Sequence, residues 1–302
     1  CYRLHVAHVA QQGARERRAW RETPTGEALA FDRWTLARIL GAQPGDSRIV
    51  QPGAFFFDLP EPVAFRPESV DDAGIATLLV EGPLEHRACW WANYDAIEAF
   101  VEQALAAPEV RAVALKIDSP GGVAAGMGQC HRRIRALQEE HSKPVVAYVD
   151  EMACSAAYNL ASACSEIWLS REAVVGSIGV ILCTIDETAR LEREGIAVRY
   201  VVTGRRKSDM HPGTAITDEV LRVAQRQVDK LGAHFFRAVA RARGTTPEAV
   251  ASLEAGVFSG KDAVAVGLAD GVADWAKFVG TLRAGLGASV GTSGTGGAPR
   301  AP

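Results

Sequence analysis

Short apolar runs alternate with amphipathic stretches through the middle of the chain. Ile75–Val80, Val110–Ile117 and Val145–Val149 have the length and composition of buried strands. The segments between them repeat their apolar residues every three or four positions: Ile97, Val101 and Leu105 in the first, and Met127, Cys130, Ile134 and Leu137 in the second. Strands alternating with helices of this length predict βαβ units, and therefore an α/β fold with a mostly parallel sheet.

The pattern predicts further elements toward the C-terminus. Shorter strands are predicted at Ile167–Leu169, Ile178–Leu182 and Val198–Val202, and helices at Ser155–Ala163 and Glu187–Glu194. Thr217 has the position of an N-cap for a long helix that ends near Arg243, because Asp218 and Glu219 occupy its first turn. Two more start signals predict helices from Thr246 and over Ser259–Leu268.

The two ends of the chain differ in composition from its middle. Residues 1–70 contain four prolines between positions 52 and 67, which predicts a partly irregular N-terminal arm. Residues 281–302 are rich in Gly, Ser and Pro and predict a disordered tail. Residues 71–280 remain as one domain.

Composition excludes several classes of function. The 302 residues carry 33 basic and 36 acidic side chains, a net charge of −3, which gives no support to a nucleic-acid partner. No apolar run is long enough to cross a bilayer. The six cysteines are scattered and predict reduced core residues, which favours a cytoplasmic protein. No histidine spacing typical of a metal site occurs, so neither metal nor cofactor is expected.

Candidate chemistry lies in three small-residue segments. Gly121 and Gly122 follow a predicted strand, where backbone N–H groups can approach a ligand closely; a plain turn is the alternative. Ser155 follows the next strand, as a nucleophile on a tight turn or as an ordinary helix cap. Ser177 lies between two glycines. Lys207 lies in a basic run, where the alternative to a catalytic role is an ordinary solvated surface charge.

Taken in order, these segments resemble one family. Leu115-Lys116-Ile117-Asp118-Ser119-Pro120-Gly121-Gly122, Lys143-Pro144-Val145-Val146-Ala147, Ala153-Cys154-Ser155-Ala156-Ala157-Tyr158 and Val175-Gly176-Ser177-Ile178-Gly179-Val180 look like the signal peptide peptidase family of serine–lysine peptidases. The resemblance covers roughly residues 74–275. It implies a Clp-protease/crotonase-like βαβ spiral with C-terminal helices.

The resemblance also implies roles for particular residues. Ser155 would be the nucleophile, and Lys207, which follows Gly204, would be the general base. Ser177 would orient the lysine, and Gly121 and Gly122 would supply the oxyanion hole. The implied activity is endopeptidase cleavage through an acyl-enzyme, in a homo-oligomeric ring whose adjacent subunits complete each other's clefts.

The chain departs from the cellular members of this family. Cys154 stands where many members have Gly or Ala, and no membrane anchor is visible. The segments Val80–Leu84 and Tyr94–Ile97 look more like the phage and prophage branch, whose members process the capsid scaffold during head maturation. The resemblance implies a protein substrate, such as that scaffold, and a location in the host or bacterial cytoplasm or with the virion.

Three other functions remain open at this point. The first is a cellular peptidase that degrades signal peptides. The second is a crotonase-like acyl-CoA enzyme, which would need neither Ser155 nor Lys207. The third is an inactive capsid component that keeps the fold.

Overall fold

The computed structural model describes residues 69–87 and 92–290, with side chains as far as residue 287. The strands in these ranges are β1 (Ile75–Glu81), β2 (Ala112–Ser119), β3 (Val145–Cys154), β4 (Glu166–Leu169), β5 (Val174–Gly176), β6 (Val257–Ser259) and β7 (Gly271–Val272). The helices are α1 (Tyr94–Ala106), α2 (Met127–His141), α3 (Ala156–Ser162), α4 (Thr188–Arg193), α5 (Asp218–Arg243), α6 (Pro247–Ala251), α7 (Gly260–Ala265) and α8 (Trp275–Val290).

The strands form a mostly parallel sheet in the order β1-β2-β3-β4-β7. The long strand β3 has two sets of neighbours. On one side it pairs with β2 as far as Ala153, and on the other its first half pairs with β4 and Met152–Cys154 pair with β5. The short strand β6 pairs antiparallel with β5. Because parallel strands end at the same edge of a sheet, the loops after β2, β3 and β5 meet there.

Helices cover both faces of the sheet, which is why its central strands are apolar on both sides. One face packs against α1, α2 and α3, with residues such as Leu115, Ile134 and Leu160 buried between them. On the other face, Phe278 of α8 lies with its ring 5.1 Å from the ring of Tyr148 on β3. The α/β prediction is therefore confirmed.

Side-chain caps begin several of the helices, among them α1, α5 and α6. Asn93 Oδ1 accepts a hydrogen bond from Ala96 N–H at 2.9 Å at the start of α1. Thr217 and Thr246 Oγ1 accept corresponding bonds at 3.3 and 3.1 Å at the starts of α5 and α6. Gly244, with φ 64°, ends α5. The helix boundaries predicted from Thr217 and Thr246 are thus confirmed.

The C-terminal helix extends beyond the domain boundary expected from composition. α8 continues to Val290, although residues from 281 onward were assigned to a tail. Leu282 and Leu286 pack against the sheet, so a few apolar residues suffice to hold this glycine-containing segment helical. The predicted arm over residues 1–68 and the rest of the tail, 291–302, lie outside the described residues.

Candidate active site

Ser155 occupies a strained turn between β3 and α3. Its backbone has φ 54° and ψ −123°, a region that L-residues rarely adopt, at a cost of about 1–3 kcal/mol. The Ser155 N–H donates to Gly176 O at 2.8 Å, and this bond to β5 holds the turn. The side chain makes no capping bond to α3. The hydroxyl therefore projects at the end of a strand, as in a nucleophile elbow.

The glycine loop after β2 passes directly beside this turn. A Cβ atom on Gly121 would lie 2.5 Å from Cys154 O and 2.8 Å from Ser155 Cβ, and Gly121 has φ +97°. A Cβ atom on Gly122 would lie 1.9 Å from Leu84 O. Only glycine fits at either position, so the loop can approach Ser155 as closely as a substrate-binding backbone must.

The two glycine N–H groups differ in their hydrogen bonds. Gly121 N–H donates to the buried Ser119 Oγ at 3.2 Å. Gly122 N–H has no acceptor within the described part of the chain, because the flanking bonds run from Leu84 N–H to Gly121 O and from Val123 N–H to Leu84 O. Gly122 is therefore the freer oxyanion donor of the predicted pair.

Ala156 offers a donor that was not predicted from the sequence. It is the first residue of α3, where a helix N–H has no intrahelical acceptor. Its nitrogen lies only 2.9 Å from where a Cβ of Gly121 would stand. The signal was available in the sequence, since a residue that follows a nucleophile at a helix start presents its N–H to the same reacting carbonyl.

Ser177 lies beside Ser155 at the edge of the sheet. Cys154 of β3 and Gly176 of β5 are direct partners, and each serine follows one of them. Ser177 also has positive φ, 51°, and its N–H donates to Gly256 O at 2.9 Å. The structure thus places Ser155, Ser177 and Gly121 close together, with Gly122 next along the loop.

Lys207 belongs to a different segment, the stretch between β5 and α5. It occupies an exposed turn, where its N–H donates to Gly204 O at 3.1 Å. No hydrogen bond joins Lys207 to Ser155 or Ser177 in the described ranges. Arg206 pairs with Asp209 at 3.1 Å, and Arg205 lies 3.5 Å from Glu219. Each of the two arginines next to Lys207 in sequence thus has a carboxylate partner.

Residues 181–216, the connector between the β5 end and α5, bury little of their apolar surface. Ile181 is 84% exposed and Val201 fully exposed. The segment is braced by its own bonds, such as Glu187 N–H to Pro212 O at 2.8 Å. The strands predicted at 178–182 and 198–202 do not form, because apolar β-prone residues need a neighbouring strand and one chain supplies none here.

Cys154, next to the nucleophile, is a buried core residue. Burial raises the pKa of its thiol to about 11, so the thiol stays protonated near neutral pH. Cys130 and Cys164 are also buried, while Cys183 is exposed, and none of these four forms a disulfide. Cys1 and Cys89 lie outside the described residues.

The described ranges contain no group of three or more His, Cys, Asp or Glu side chains placed to hold a metal ion. No helix in them has both the length and the apolar content to span a bilayer.

Comparison with known proteins decides the family. The model of peptidase family S49 matches residues 137–289, which include Ser155, Ser177 and Lys207. The chain belongs to peptidase family S49. The S49 assignment confirms the resemblance found in the sequence, and the mixed α/β sheet with C-terminal helices is the Clp-protease/crotonase-like fold expected of such a peptidase.

Relatives of this S49 chain include phage and cellular proteins. It is 38% identical over 203 residues to the head-tail preconnector protein GP5 of Enterobacteria phage P21, covering 65% of this chain and 40% of that protein. It is 34% identical over 203 residues to the capsid assembly protease C of Escherichia phage lambda, covering 65% and 46%. A putative signal peptide peptidase SppA of Enterococcus faecium is 27% identical over 162 residues, covering 53% and 47%. The matched part thus spans less than half the length of each.

Proposed function

We propose that this S49 chain is a serine endopeptidase in which Ser155 is the nucleophile and Lys207 the general base. The strained turn at Ser155 carries the proposal, because it holds a hydroxyl beside backbone that Gly121 allows to come close. A serine that served only as a helix cap would accept a bond from the helix N-terminus, and Ser155 does not.

Cleavage proceeds through an acyl-enzyme. Neutral Lys207 Nζ takes the proton from Ser155 Oγ as the oxygen attacks the scissile carbonyl carbon, whose oxygen becomes an oxyanion. The C–N bond then breaks, and the Lys207 ammonium protonates the leaving amine. Water attacks the resulting ester, gives a proton to Lys207, and displaces Ser155 Oγ, which takes that proton back. This is the serine–lysine variant of the hydrolytic triad.

The oxyanion is stabilised by backbone N–H groups. Gly122 and Ala156 are the best-placed donors, with Gly121 contributing through a bond it shares with Ser119. One such donor contributes about 3 kcal/mol to the transition state. Ser177, beside the nucleophile, orients Lys207 by accepting a hydrogen bond from its ammonium form.

Lys207 reaches Ser155 from an adjacent subunit of a homo-oligomeric ring. The exposed turn that holds Lys207 and the uncovered apolar residues of the 181–216 connector support this arrangement. Strand-prone residues such as Val201 would gain neighbours in a second copy. Burial at that interface would also lower the lysine pKa, as a general base near neutral pH requires.

The natural substrate is a protein involved in phage head assembly, such as a capsid scaffold. The phage relatives support this, since their identities of 38% and 34% exceed the 27% of the Enterococcus relative. The protein would then act in the bacterial host cytoplasm, with the assembling virion. Degradation of signal peptides is the alternative, and cleavage of scaffold against signal peptides by the purified protein distinguishes the two.

The elbow at Ser155 also disfavours the two non-peptidase functions. A crotonase-like acyl-CoA enzyme has no need of a hydroxyl held in a strained turn, and an inactive capsid component has no need of the strain.

Labelling with a fluorophosphonate or β-lactone probe tests the proposal. We expect the probe to label Ser155, as a phosphonate ester with the fluorophosphonate or as a carboxylic ester with the lactone. Ser155→Ala should lose labelling and peptide cleavage while its melting temperature is unchanged or higher. Lys207→Ala should lower kcat by at least about a thousandfold, because the nucleophile loses its base.

Lys261→Ala is the matched control, since Lys261 is an exposed lysine on α7. Near-full activity in Lys207→Ala would refute the base assignment. An unlabelled Ser155 in a protein that binds acyl-CoA would refute the peptidase.

A further inference from the structure

Helix α5, the longest in the described ranges, carries a continuous row of basic side chains. Within α5 they recur at spacings of four or three residues and all are exposed: Arg222, Arg226, Lys230, His234, Arg237 and Arg241. These six residues, called here the basic face, span about 28 Å at 1.5 Å per residue. The residues that α5 buries, such as Val220, Phe235 and Val239, lie on the opposite side of the helix.

The cations of the basic face have no carboxylate partners within the described residues. After the first turn, Asp229 is the single acidic residue of α5, and it accepts its bond from Gln225 Nε2 at 2.6 Å. Glu219, in the first turn, lies next to Arg205 and Arg206 of the connector. Arg237 donates to His234 Nδ1 at 3.0 Å, so two members of the face bond each other.

Like charges four residues apart on a helix repel each other, and beyond the first turn of α5 a single carboxylate, Asp229, offsets part of this repulsion. The face holds five permanent positive charges in a protein whose net charge is −3. The rest of the chain is therefore net acidic, by about eight charges, and the basic face stands out against it. An anionic partner would relieve the repulsion as it binds.

The adjoining helix broadens the positive field at one end. Burial lowers the pKa of His131 on α2, and the positive charges of Arg135, Arg132 and Arg241 lower it further. Two arginines of α2 therefore lie near the same buried ring as Arg241 of the basic face. The C-terminal end of the face is two helices wide.

We propose that the basic face docks an acidic helical segment of a protein substrate. Residues four apart advance about 6 Å along a helix, so Glu or Asp at i, i+4 spacing on a second helix meets the row in register. No aromatic side chain belongs to the face, whereas proteins that bind single-stranded nucleic acid stack bases on aromatic rings. A protein helix thus fits the row better than a nucleic acid.

The docking itself does not depend on the proposed peptidase function; that the docked protein is a substrate rests on it. Docking away from Ser155 would bring a folded protein to the site without contacting the scissile bond. Such docking lowers KM for substrates that carry the acidic segment, and leaves kcat for short peptides unchanged.

A fluorescence anisotropy titration tests the docking. The probe is a labelled peptide of about 20 residues, the length of the face, with Glu at every fourth position in an alanine-rich helix. The protein is full-length Ser155→Ala, so binding is read without cleavage. We expect saturable binding that weakens with salt, and loss of binding when Gln replaces Glu in the peptide.

A charge-reversed variant and its control locate the site. Changing Arg222, Arg226 and Lys230 together to Glu should weaken peptide binding by about tenfold or more, since three surface pairs are reversed. The matched variant changes three exposed cations elsewhere, Arg171, Lys261 and Lys277, to Glu and alters net charge equally. It should bind within about threefold of the parent protein.

Three results would overturn the docking proposal: equal weakening in both variants, equal binding of the Gln peptide, or tighter binding of duplex or single-stranded DNA of the same length. Circular dichroism and probe labelling of Ser155 in the variants carrying wild-type Ser155 report whether they fold. Absence of labelling in the wild-type protein, with peptide binding intact, would remove the peptidase proposal and leave the docking face.

Discussion

Tyr94, which is remote in sequence from the glycine loop, fixes the position of that loop by a hydrogen bond. Its buried hydroxyl donates to Val123 O at 2.8 Å, and Val123 N–H in turn donates to Leu84 O. Leu84 N–H also donates to Gly121 O, so the backbone of the loop is hydrogen-bonded on both sides of Gly122. One phenol thus positions a proposed oxyanion donor without touching substrate.

We predict that Tyr94→Phe lowers kcat by about tenfold with KM nearly unchanged, a fraction of the loss that removal of an oxyanion donor causes. The ring still packs, while Val123 O loses its partner at a cost of about 1 kcal/mol in the free energy of unfolding. Steady-state kinetics and thermal unfolding measure the two effects.

Tyr148→Phe is the control, because Tyr148 makes a comparable buried bond to Ala273 O at 3.2 Å on the other side of the sheet. It should lose similar stability and keep kcat. A matching fall of kcat in both variants would show that Tyr94 has no positioning role.

Arg243 joins the end of α5 to the sheet. Its guanidinium donates to both carboxylate oxygens of Asp270, at 2.8 and 2.9 Å, and to Gly267 O. Asp270 also accepts from Ile167 N–H of β4 at 2.7 Å. Burial by itself raises the pKa of Asp270, but the bonds from Arg243 and Ile167 outweigh it and lower the pKa below its ordinary value.

This lowered pKa predicts a loss of stability in acid. A carboxylate whose pKa is lower in the folded state stabilises the fold fully above its unfolded pKa, about 3.9, and loses that contribution as pH falls through the folded value. We expect Asp270→Asn to lower the free energy of unfolding at pH 7 by about 1–2 kcal/mol, a modest loss because Asp270 is partly exposed. Below about pH 4, the free energy of unfolding of this variant should depend less on pH than that of the wild-type protein.

Denaturant unfolding between pH 2 and 7 measures this effect, with the exposed Asp72→Asn as control. An acid transition in Asp270→Asn as steep as that of the wild-type protein would contradict the assignment.

Within one chain, no hydrogen bond joins the two members of the proposed dyad in the described residues. The sheet brings Ser155 and Ser177 together through the pairing of β3 and β5, while Lys207 stays in the exposed connector. A ring that supplies Lys207 from the next subunit would complete the dyad, which makes activity a property of the assembly.

Mixing two inactive variants tests this arrangement. Ser155→Ala subunits keep Lys207, and Lys207→Ala subunits keep Ser155, so a mixed ring regenerates complete sites at some interfaces. Random equal mixing should restore roughly a quarter of wild-type activity, whereas a lysine acting within its own chain restores none. Native mass spectrometry of the co-expressed variants verifies that subunits have mixed.

Local sequence by itself determined the helices, the first three strands and the candidate chemistry. Apolar periodicity and the caps at Thr217 and Thr246 fix helices through hydrogen bonds between near neighbours, so their boundaries can be read from the chain. Tertiary structure decided what depends on pairing between distant residues. The turn at Ser155 requires the hydrogen bond from Ser155 N–H to Gly176 O of β5. Gly121 must be glycine because Cys154 and Ser155, distant in sequence, pack against it. The strands predicted at 178–182 and 198–202 stayed unformed because β-structure is stable only when another strand satisfies its backbone, and that strand is not part of the local sequence.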